Sequence, residues 1–164
     1  MTQQVKASQV LKDPVHFLAF GLGSGLSPKA PGTFGTVMAL AIYWFLLADL
    51  SDLMYGLICL ASIPIGIYLC GESARKLGVH DYGGIVWDEF SGLWITLLFA
   101  PKHWQIALLG FVLFRIFDII KPWPIGWADK KVEGGLGIML DDILAGIMAL
   151  AVLQWVLWLQ WLPL

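Results

Sequence analysis

Long apolar stretches are the feature of this sequence that most constrains its fold. Two of them, residues 53–70 and 143–162, contain no charged side chain. A helix needs about 20 predominantly apolar residues to cross the hydrocarbon of a bilayer. Hydrophobic residues make up 59% of the chain and charged residues only 13%, which is unusual for a soluble globular domain. The sequence therefore predicts an integral membrane protein.

Two further apolar stretches complete the predicted bundle. Residues 37–48 form one, and residues 90–117 form another that Pro101, Lys102 and His103 interrupt, so that the chain has five helices. Residues 15–26 are too short and too rich in glycine to span, which favours an interfacial or re-entrant segment. We therefore predict one all-α domain over residues 1–164, a polytopic membrane helical bundle with four to five membrane helices and an N-terminal interfacial segment.

The distribution of basic residues predicts the orientation of this bundle. Nine of the ten Lys and Arg residues precede the first helix or lie in the connections between helices 2 and 3 and between helices 4 and 5, and only Lys102 falls on the other side. Short loops rich in Lys and Arg stay in the cytoplasm. The N-terminus is thus expected inside and the C-terminus outside. A net charge of −2 with no basic stripe excludes a nucleic-acid partner.

Acidic residues concentrate on the predicted cytoplasmic side, where nine of the twelve lie in the two connections between helices or at the helix ends that bound them. Asp88 and Glu89 stand at the predicted start of helix 3, Asp118 at the end of helix 4, and Asp141 and Asp142 at the start of helix 5. Carboxylates brought together repel one another unless a cation neutralises them. Oxygen ligands without clustered Cys or His favour Mg²⁺ over zinc. These five residues are the predicted metal ligands.

A structural explanation competes with the metal site. Acids at helix N-termini complement the helix dipole, which would account for Asp141 and Asp142 equally well. It does not account for Asp118, which stands at a helix C-terminal end. Asp118 follows Arg115 by three residues on the same helix face, so a surface ion pair is the alternative for that residue. Ionisable groups near membrane depth are nevertheless functional candidates.

A glycine-rich segment, residues 21–36, leads into the first helix. Glycines let backbone N–H groups approach an anion, Thr33 or Thr36 can cap the helix, and a helix N-terminus favours phosphate. Lys29 would add positive charge. The spacing does not match a Walker A loop. Lys29, Thr33 and Thr36 are therefore predicted phosphate ligands, with an ordinary turn before a capped helix as the alternative.

Residues 114–124 supply the remaining candidates. Pro122 and Pro124 end the helix just beyond Lys121. This would leave Arg115 and Lys121 free to face a phosphate monoester. Arginine binds phosphate as a bidentate ligand and lysine as a point charge. The sequence therefore predicts both as phosphate-binding residues.

Four motifs in order resemble the phosphatidylglycerophosphatase A family over nearly the whole chain. They are Gly-Ser-Gly-Leu-Ser-Pro…Pro-Gly-Thr at 23–33, Ile-Val-Trp-Asp-Glu-Phe at 85–90, Phe-Arg-Ile-Phe-Asp-Ile-Ile-Lys-Pro-Trp-Pro at 114–124 and Gly-Ile-Met-Leu-Asp-Asp-Ile-Leu-Ala-Gly at 137–146. The resemblance implies a multi-pass enzyme of the bacterial inner membrane. Such an enzyme uses Mg²⁺ to remove the terminal phosphate of phosphatidylglycerophosphate during phospholipid biosynthesis, with its active site on the cytoplasmic face.

The resemblance also implies a set of site residues. They are Thr33, Asp88, Glu89, Arg115, Asp118, Lys121, Asp141 and Asp142. Among these, the residues expected to be catalytic are Asp88, Glu89, Asp118, Asp142 and Thr33. Attack by water and attack by a carboxylate nucleophile both remain open. A divalent-cation transporter and a scaffold subunit are the alternatives from other classes.

Overall fold

The structure is a computed structural model that describes residues 5–79 and 82–159, and within these ranges it contains helices and no strand. The prediction of an all-α fold is confirmed. The helices are α1 (Ala7–Lys12), α2 (Pro14–Ala19), α3 (Pro31–Ile42), α4 (Asp52–Leu77), α5 (Trp87–Thr96), α6 (Trp104–Ile120), α7 (Ile125–Lys131) and α8 (Gly134–Trp158). A 3₁₀ turn, Ser24–Leu26, precedes α3, and a π-helical turn, Tyr43–Leu47, extends it.

Two helices, α4 and α8, are long and apolar enough to cross a membrane, judged by length and composition. They pack closely because glycines line their contact. A Cβ atom at Gly135 would lie 2.0 Å from the backbone oxygen of Ile67. Small residues of this kind let membrane helices approach backbone to backbone. Their length and composition are those of membrane-spanning helices.

The central helix of the bundle is α5, which contacts α3, α4, α6 and α8. Residues 89–97 are all buried. At 10 residues the helix is about 15 Å long, half the hydrocarbon thickness. It crosses α8 at two glycines, since a Cβ atom at Gly146 would lie 2.4 Å from the backbone oxygen of Gly92. This close crossing fixes the middle of α5 relative to α8.

The predicted start of the last helix was wrong. Helix α8 begins at Gly134 rather than at residue 143, so Asp141 and Asp142 lie two turns inside it. Glycines at its start weakened the apolar pattern, but they are needed for close packing. A Cβ atom at Gly137, for example, would lie 2.1 Å from the backbone oxygen of Val132. The helix-dipole explanation for the two aspartates therefore loses its basis, since the dipole acts within the first turn.

The predicted start of the first membrane helix was also wrong. Helix α3 begins at Pro31, and its N-cap is Ala30, which has a left-handed backbone (φ 48°) and no side-chain cap. Proline is favoured at the first helical position because its missing N–H is not needed there. Neither Thr33 nor Thr36 caps the helix, because both lie within it. The break at residues 101–103 is confirmed, although α5 already ends at Thr96.

The N-terminal segment folds back onto α4. The Nδ1 atom of His16 lies 2.8 Å from the Oγ atom of Ser73, and Phe20 is fully buried. The Nζ atom of Lys76 donates a hydrogen bond of 2.6 Å to Asp13, which lowers the pKa of that carboxyl group. Residues 15–26 thus form a packed segment whose helix, α2, is too short to span a bilayer.

Candidate functional site

Carboxylates from α5, α6 and α8 meet at the end of the bundle where α3 and α5 begin and α6 ends, which we call the acidic end. Asp142 lies deepest and is only 3% exposed. The negative charges of Asp88, Glu89, Asp118 and Asp141 all act on it. The structure therefore places the five acids that the sequence predicted as metal ligands at one end of the bundle.

Glu89 and Arg115 form the most buried ion pair of this end. Both carboxylate oxygens of Glu89 accept hydrogen bonds from the Nη1 atom of Arg115, at 2.7 and 2.6 Å. Oδ2 of Asp118 lies 2.8 Å from the same Nη1 atom. Their side chains are only 10–15% exposed. The pair of Arg115 and Asp118 is thus part of a buried network rather than a surface ion pair.

Arg115 has hydrogen-bonding capacity beyond this network. Its Nε atom is buried and has no hydrogen-bond partner among the described residues. A guanidinium group carries five N–H donors, and the edge formed by Nε and Nη2 can bind two oxygens of one phosphate. The arrangement therefore leaves a buried donor edge available at the acidic end.

Lys121 joins α7 to α8 through two carboxylates. Its Nζ atom donates hydrogen bonds to Asp141 at 2.7 Å and to Asp129 at 2.5 Å. Burial alone would lower the pKa of the Lys121 ammonium group, but these hydrogen bonds outweigh burial and raise that pKa. The group therefore stays protonated. The other oxygen of Asp141, Oδ1, is buried without a hydrogen-bond partner in the described part of the chain.

Thr36 faces the protein interior. Its side chain is fully buried, and its hydroxyl group donates to Glu89 at 2.6 Å or to the backbone oxygen of Gly32 at 2.9 Å. One hydroxyl proton serves one acceptor at a time, and the carboxylate is closer. Gly32 itself lies against Glu89, because a Cβ atom there would be 2.2 Å from Oε1.

The other predicted residues lie at the edge of this network. Thr33 is half-buried in the first turn of α3, and Asp88 is half-buried in the first turn of α5. Oδ1 of Asp88 accepts the backbone N–H of Glu89 at 3.0 Å. Lys29 is exposed and forms no ion pair with any residue that the structure describes. The structure does not join Lys29 to the acids.

The glycine-rich segment packs against the chain that leads into α5. A Cβ atom at Gly25 would lie 2.0 Å from the backbone oxygen of Gly84, and one at Gly35 would lie 2.6 Å from Cβ of Val86. The backbone N–H of Val86 donates to the oxygen of Ala19 at 2.8 Å. These glycines therefore permit close packing that positions Asp88 and Glu89, a role that the sequence prediction missed.

The charges at the acidic end are unbalanced. Six carboxylates face two basic side chains there. The basic side chains are those of Arg115 and Lys121, and the carboxylates are those of Asp88, Glu89, Asp118, Asp129, Asp141 and Asp142. This excess, the oxygen donors and the unpartnered Oδ1 of Asp141 fit a divalent cation. Within residues 5–79 and 82–159, however, no three His, Cys, Asp or Glu side chains converge closely enough to hold a metal ion. Binding would have to draw the carboxylates together, and Mg²⁺ stays a prediction.

Fold and site together define a class: an all-helical protein with two helices long and apolar enough to cross a membrane, and with a buried acidic and basic network at one end of its bundle. The sequence profile described as "PgpA: Phosphatidylglycerophosphatase A" matches residues 17–157. The chain therefore belongs to the phosphatidylglycerophosphatase A family, and the resemblance carried by its four motifs is confirmed.

Two curated relatives carry the name of this family, and a third carries the name of another lipid phosphatase. The chain is 49% identical over 152 residues to phosphatidylglycerophosphatase A of Escherichia coli (strain K12), covering 92% of this chain and 88% of the relative. It is 46% identical over 143 residues to the protein of the same name from Haemophilus influenzae, covering 87% and 88%. A putative phosphatidylinositol-3-phosphatase of Bacteroides thetaiotaomicron is 38% identical over 152 residues, covering 84% and 91%. No solved structure matches the chain.

Proposed function

We propose that the protein hydrolyses the terminal phosphate monoester of phosphatidylglycerophosphate, giving phosphatidylglycerol and phosphate, in a Mg²⁺-dependent reaction. Family membership supports the reaction class. One observation carries the assignment to the acidic end, namely that Arg115 Nε and Asp141 Oδ1 are buried there without partners among the described residues. A buried donor and a buried acceptor in one network suit an anionic substrate and a cation.

The phosphate is held by basic groups and backbone amides. The free edge of Arg115 binds two phosphate oxygens, and Lys121 adds a point charge. The first turn of α3 contributes the backbone N–H groups of Gly32 and Thr33, which have no partner within the helix. Lys29, exposed just before this helix, attracts the anionic head group without contacting the acids.

The carboxylates provide the proposed cation site. Asp88, Asp118, Asp141 and Asp142 are the proposed ligands, because they come from three helices at the same end of the bundle. Bound Mg²⁺ supplies a polarised phosphoryl oxygen and a more acidic attacking water. Arg115 and Lys121 spread the charge of the transferring phosphoryl group. Direct attack by water is the proposed route, and trapping an acid-labile phosphoenzyme would contradict it.

The membrane setting explains the position of the site. We place α3 with its π turn, α4, α6 and α8 across the bilayer, and α5 as a buried half-helix, in the bacterial inner membrane. The distribution of basic residues along the chain supports an orientation with the acidic end at the cytoplasmic face. A substrate with two acyl chains stays in the leaflet, so a site at head-group level meets it by lateral diffusion.

Transport of a divalent cation is not favoured. A transport path would need polar side chains along the bundle. The centre of the bundle is instead filled by fully buried apolar side chains, among them Phe90, Leu93 and Leu97. Only the acidic end combines several carboxylates in the described ranges, so the phosphatase is the better-supported function.

A purified sample tests the proposal directly. Phosphate release from phosphatidylglycerophosphate is measured in detergent, with EDTA and after Mg²⁺ is restored, beside phosphatidylinositol 3-phosphate and phosphatidic acid as competing substrates. We expect release from phosphatidylglycerophosphate that EDTA abolishes and Mg²⁺ restores. No release would contradict the reaction, and EDTA-insensitive release would contradict the metal. Cation uptake by vesicles that contain the protein would favour transport.

A further inference from the structure

The carboxylate of Glu89 is enclosed by groups that hold it in place. Its residue is 8% exposed. Oε1 accepts from Arg115 Nη1 at 2.7 Å, and Oε2 accepts from the same nitrogen and from Thr36 Oγ1, each at 2.6 Å. Gly32 lies over Oε1 so closely that a Cβ atom would be 2.2 Å away. Glu89 therefore already has three close donor contacts and a backbone neighbour.

Thr36 closes this arrangement. Its fully buried hydroxyl group donates to Glu89 and lies 3.3 Å from Arg115 Nη1, which donates to it. Thr36, Glu89 and Arg115 thus come from three different helices and form a closed triangle of hydrogen bonds. A hydroxyl group used in this way is not available to a phosphate.

Asp118 approaches the same nitrogen of Arg115, at 2.8 Å. Two carboxylates therefore compete for Nη1, and the position of the guanidinium group depends on both. Removing Glu89 or its hydrogen bond from Thr36 would let Arg115 move toward Asp118. The edge that carries the unpartnered Nε atom would then turn away from its present direction.

We propose that Glu89 and Thr36 are positioning residues that hold Arg115 Nη1 and thereby direct the Nε edge of Arg115 toward the substrate phosphate. This assignment rests on the proposed function and replaces the predicted roles of Glu89 as a metal ligand and of Thr36 as a phosphate ligand. Gly32 contributes to the same arrangement, because any side chain at that position would displace the carboxylate of Glu89.

Two substitutions at Thr36 separate the hydroxyl group from the shape of the side chain. Thr36→Val keeps the shape and removes the hydrogen bond, whereas Thr36→Ser keeps the hydrogen bond. We expect kcat/KM to fall about tenfold in Thr36→Val and to stay within about twofold of the parent in Thr36→Ser, because a hydrogen bond to a charged group is lost only in the first. The Mg²⁺ concentration for half-maximal rate should not change in either variant. Parent-like kinetics in Thr36→Val would overturn the proposal.

Metal binding provides a readout that does not depend on activity. Mn²⁺ is titrated into detergent-purified Glu89→Gln and Asp142→Asn proteins and followed by electron paramagnetic resonance. A positioning role predicts that Glu89→Gln binds Mn²⁺ within about twofold of the parent, while Asp142→Asn loses about tenfold or more in affinity. Equal losses in the two variants would make Glu89 a ligand and overturn the assignment.

Glu72→Gln is the matched control. Glu72 also forms a bidentate pair with an arginine, Arg75, but on the surface of α4. We expect it to leave both kcat/KM and Mn²⁺ affinity unchanged. If Thr36→Val does not fold, Glu89→Gln still decides between the two roles. If the parent releases no phosphate from phosphatidylglycerophosphate, the proposed function fails, whereas the Mn²⁺ titration still tests the role of Glu89.

Discussion

The two ends of the bundle differ in how far their charged side chains are buried. At the opposite end from the acids, where α5 ends and α6 begins, Asp49 and Lys102 form an ion pair, and the aspartate side chain is 77% exposed. Lys102 Nζ also lies 5.6 Å from the ring centroid of Trp44. At the acidic end, by contrast, the side chains of Glu89 and Arg115 are only 10% and 15% exposed.

This difference in burial distinguishes charges that have little effect on stability from charges that are kept for function. An exposed ion pair contributes roughly 0–1 kcal/mol, because water screens it. Buried charges cost several kcal/mol each to desolvate, and a cluster with excess negative charge adds repulsion. Such a cluster lowers the stability of the fold, and proteins retain one where the charges are needed for binding or catalysis. The acidic end is therefore the place where substitutions should affect activity more than folding.

The largest effect is expected for Asp142→Asn. Loss of this proposed metal ligand should lower the phosphatase rate by about a thousandfold or more. The free energy of unfolding should stay the same or rise, because one like charge leaves the cluster. Phosphate release and thermal unfolding in detergent measure both quantities, with Asp49→Asn as the control. A rate close to that of the parent would contradict the account.

Arg115→Lys should have the next largest effect. The lysine keeps the charge but loses the planar fork, so it cannot hold Glu89 and a phosphate together. We expect kcat/KM to fall about a hundredfold. Steady-state kinetics at saturating Mg²⁺ provide the measurement. If lysine proved as good as arginine, charge alone would explain the site.

Packing between α5 and α8 allows a test of folding rather than of chemistry. In Gly146→Ala the new Cβ atom would meet the backbone oxygen of Gly92 at 2.4 Å, which should destabilise the protein by about 1–3 kcal/mol. Gly56→Ala is the matched control, because its Cβ atom would have no neighbour within 4 Å. Thermal unfolding of both variants is compared. Equal midpoints would show that the crossing is looser than described.

The smallest effect is expected at the opposite end. Lys102→Met removes the ion pair with Asp49 and the contact with Trp44. It should change the free energy of unfolding by less than about 1 kcal/mol and leave the phosphatase rate unaltered. Denaturation curves and phosphate release provide the measurements. A loss of activity would contradict the assignment of function to the acidic end alone.

Part of this organisation could be predicted from the sequence. Apolar length indicated α4 and α8, and Pro101 indicated the break before α6. The start of α8 was missed because Gly134 and its neighbours resemble a loop, whereas their packing against α4 depends on residues far away in the sequence. The closeness of Asp129 to Lys121 was missed for a similar reason, because it depends on how the short helix α7 folds back toward the end of α6.

The candidate site was likewise predictable from the sequence only in part. The identities of the acids and of Arg115 were predictable, because charges between long apolar stretches are conspicuous. The inward direction of Thr36 was not, because it depends on where α3 begins. The role of the glycines was also hidden, since the clash that a Cβ atom at Gly25 would make with Gly84 is a tertiary contact.

The most direct test of the account is the position of a bound divalent cation. Crystals grown with Mn²⁺ and measured at a wavelength where manganese scatters anomalously would locate it. The account predicts a peak at the acidic end, with oxygen ligands from Asp142 and at least one aspartate of another helix, and with Glu89 still bound to Arg115. A peak only at the opposite end, or none at saturating Mn²⁺, would contradict it.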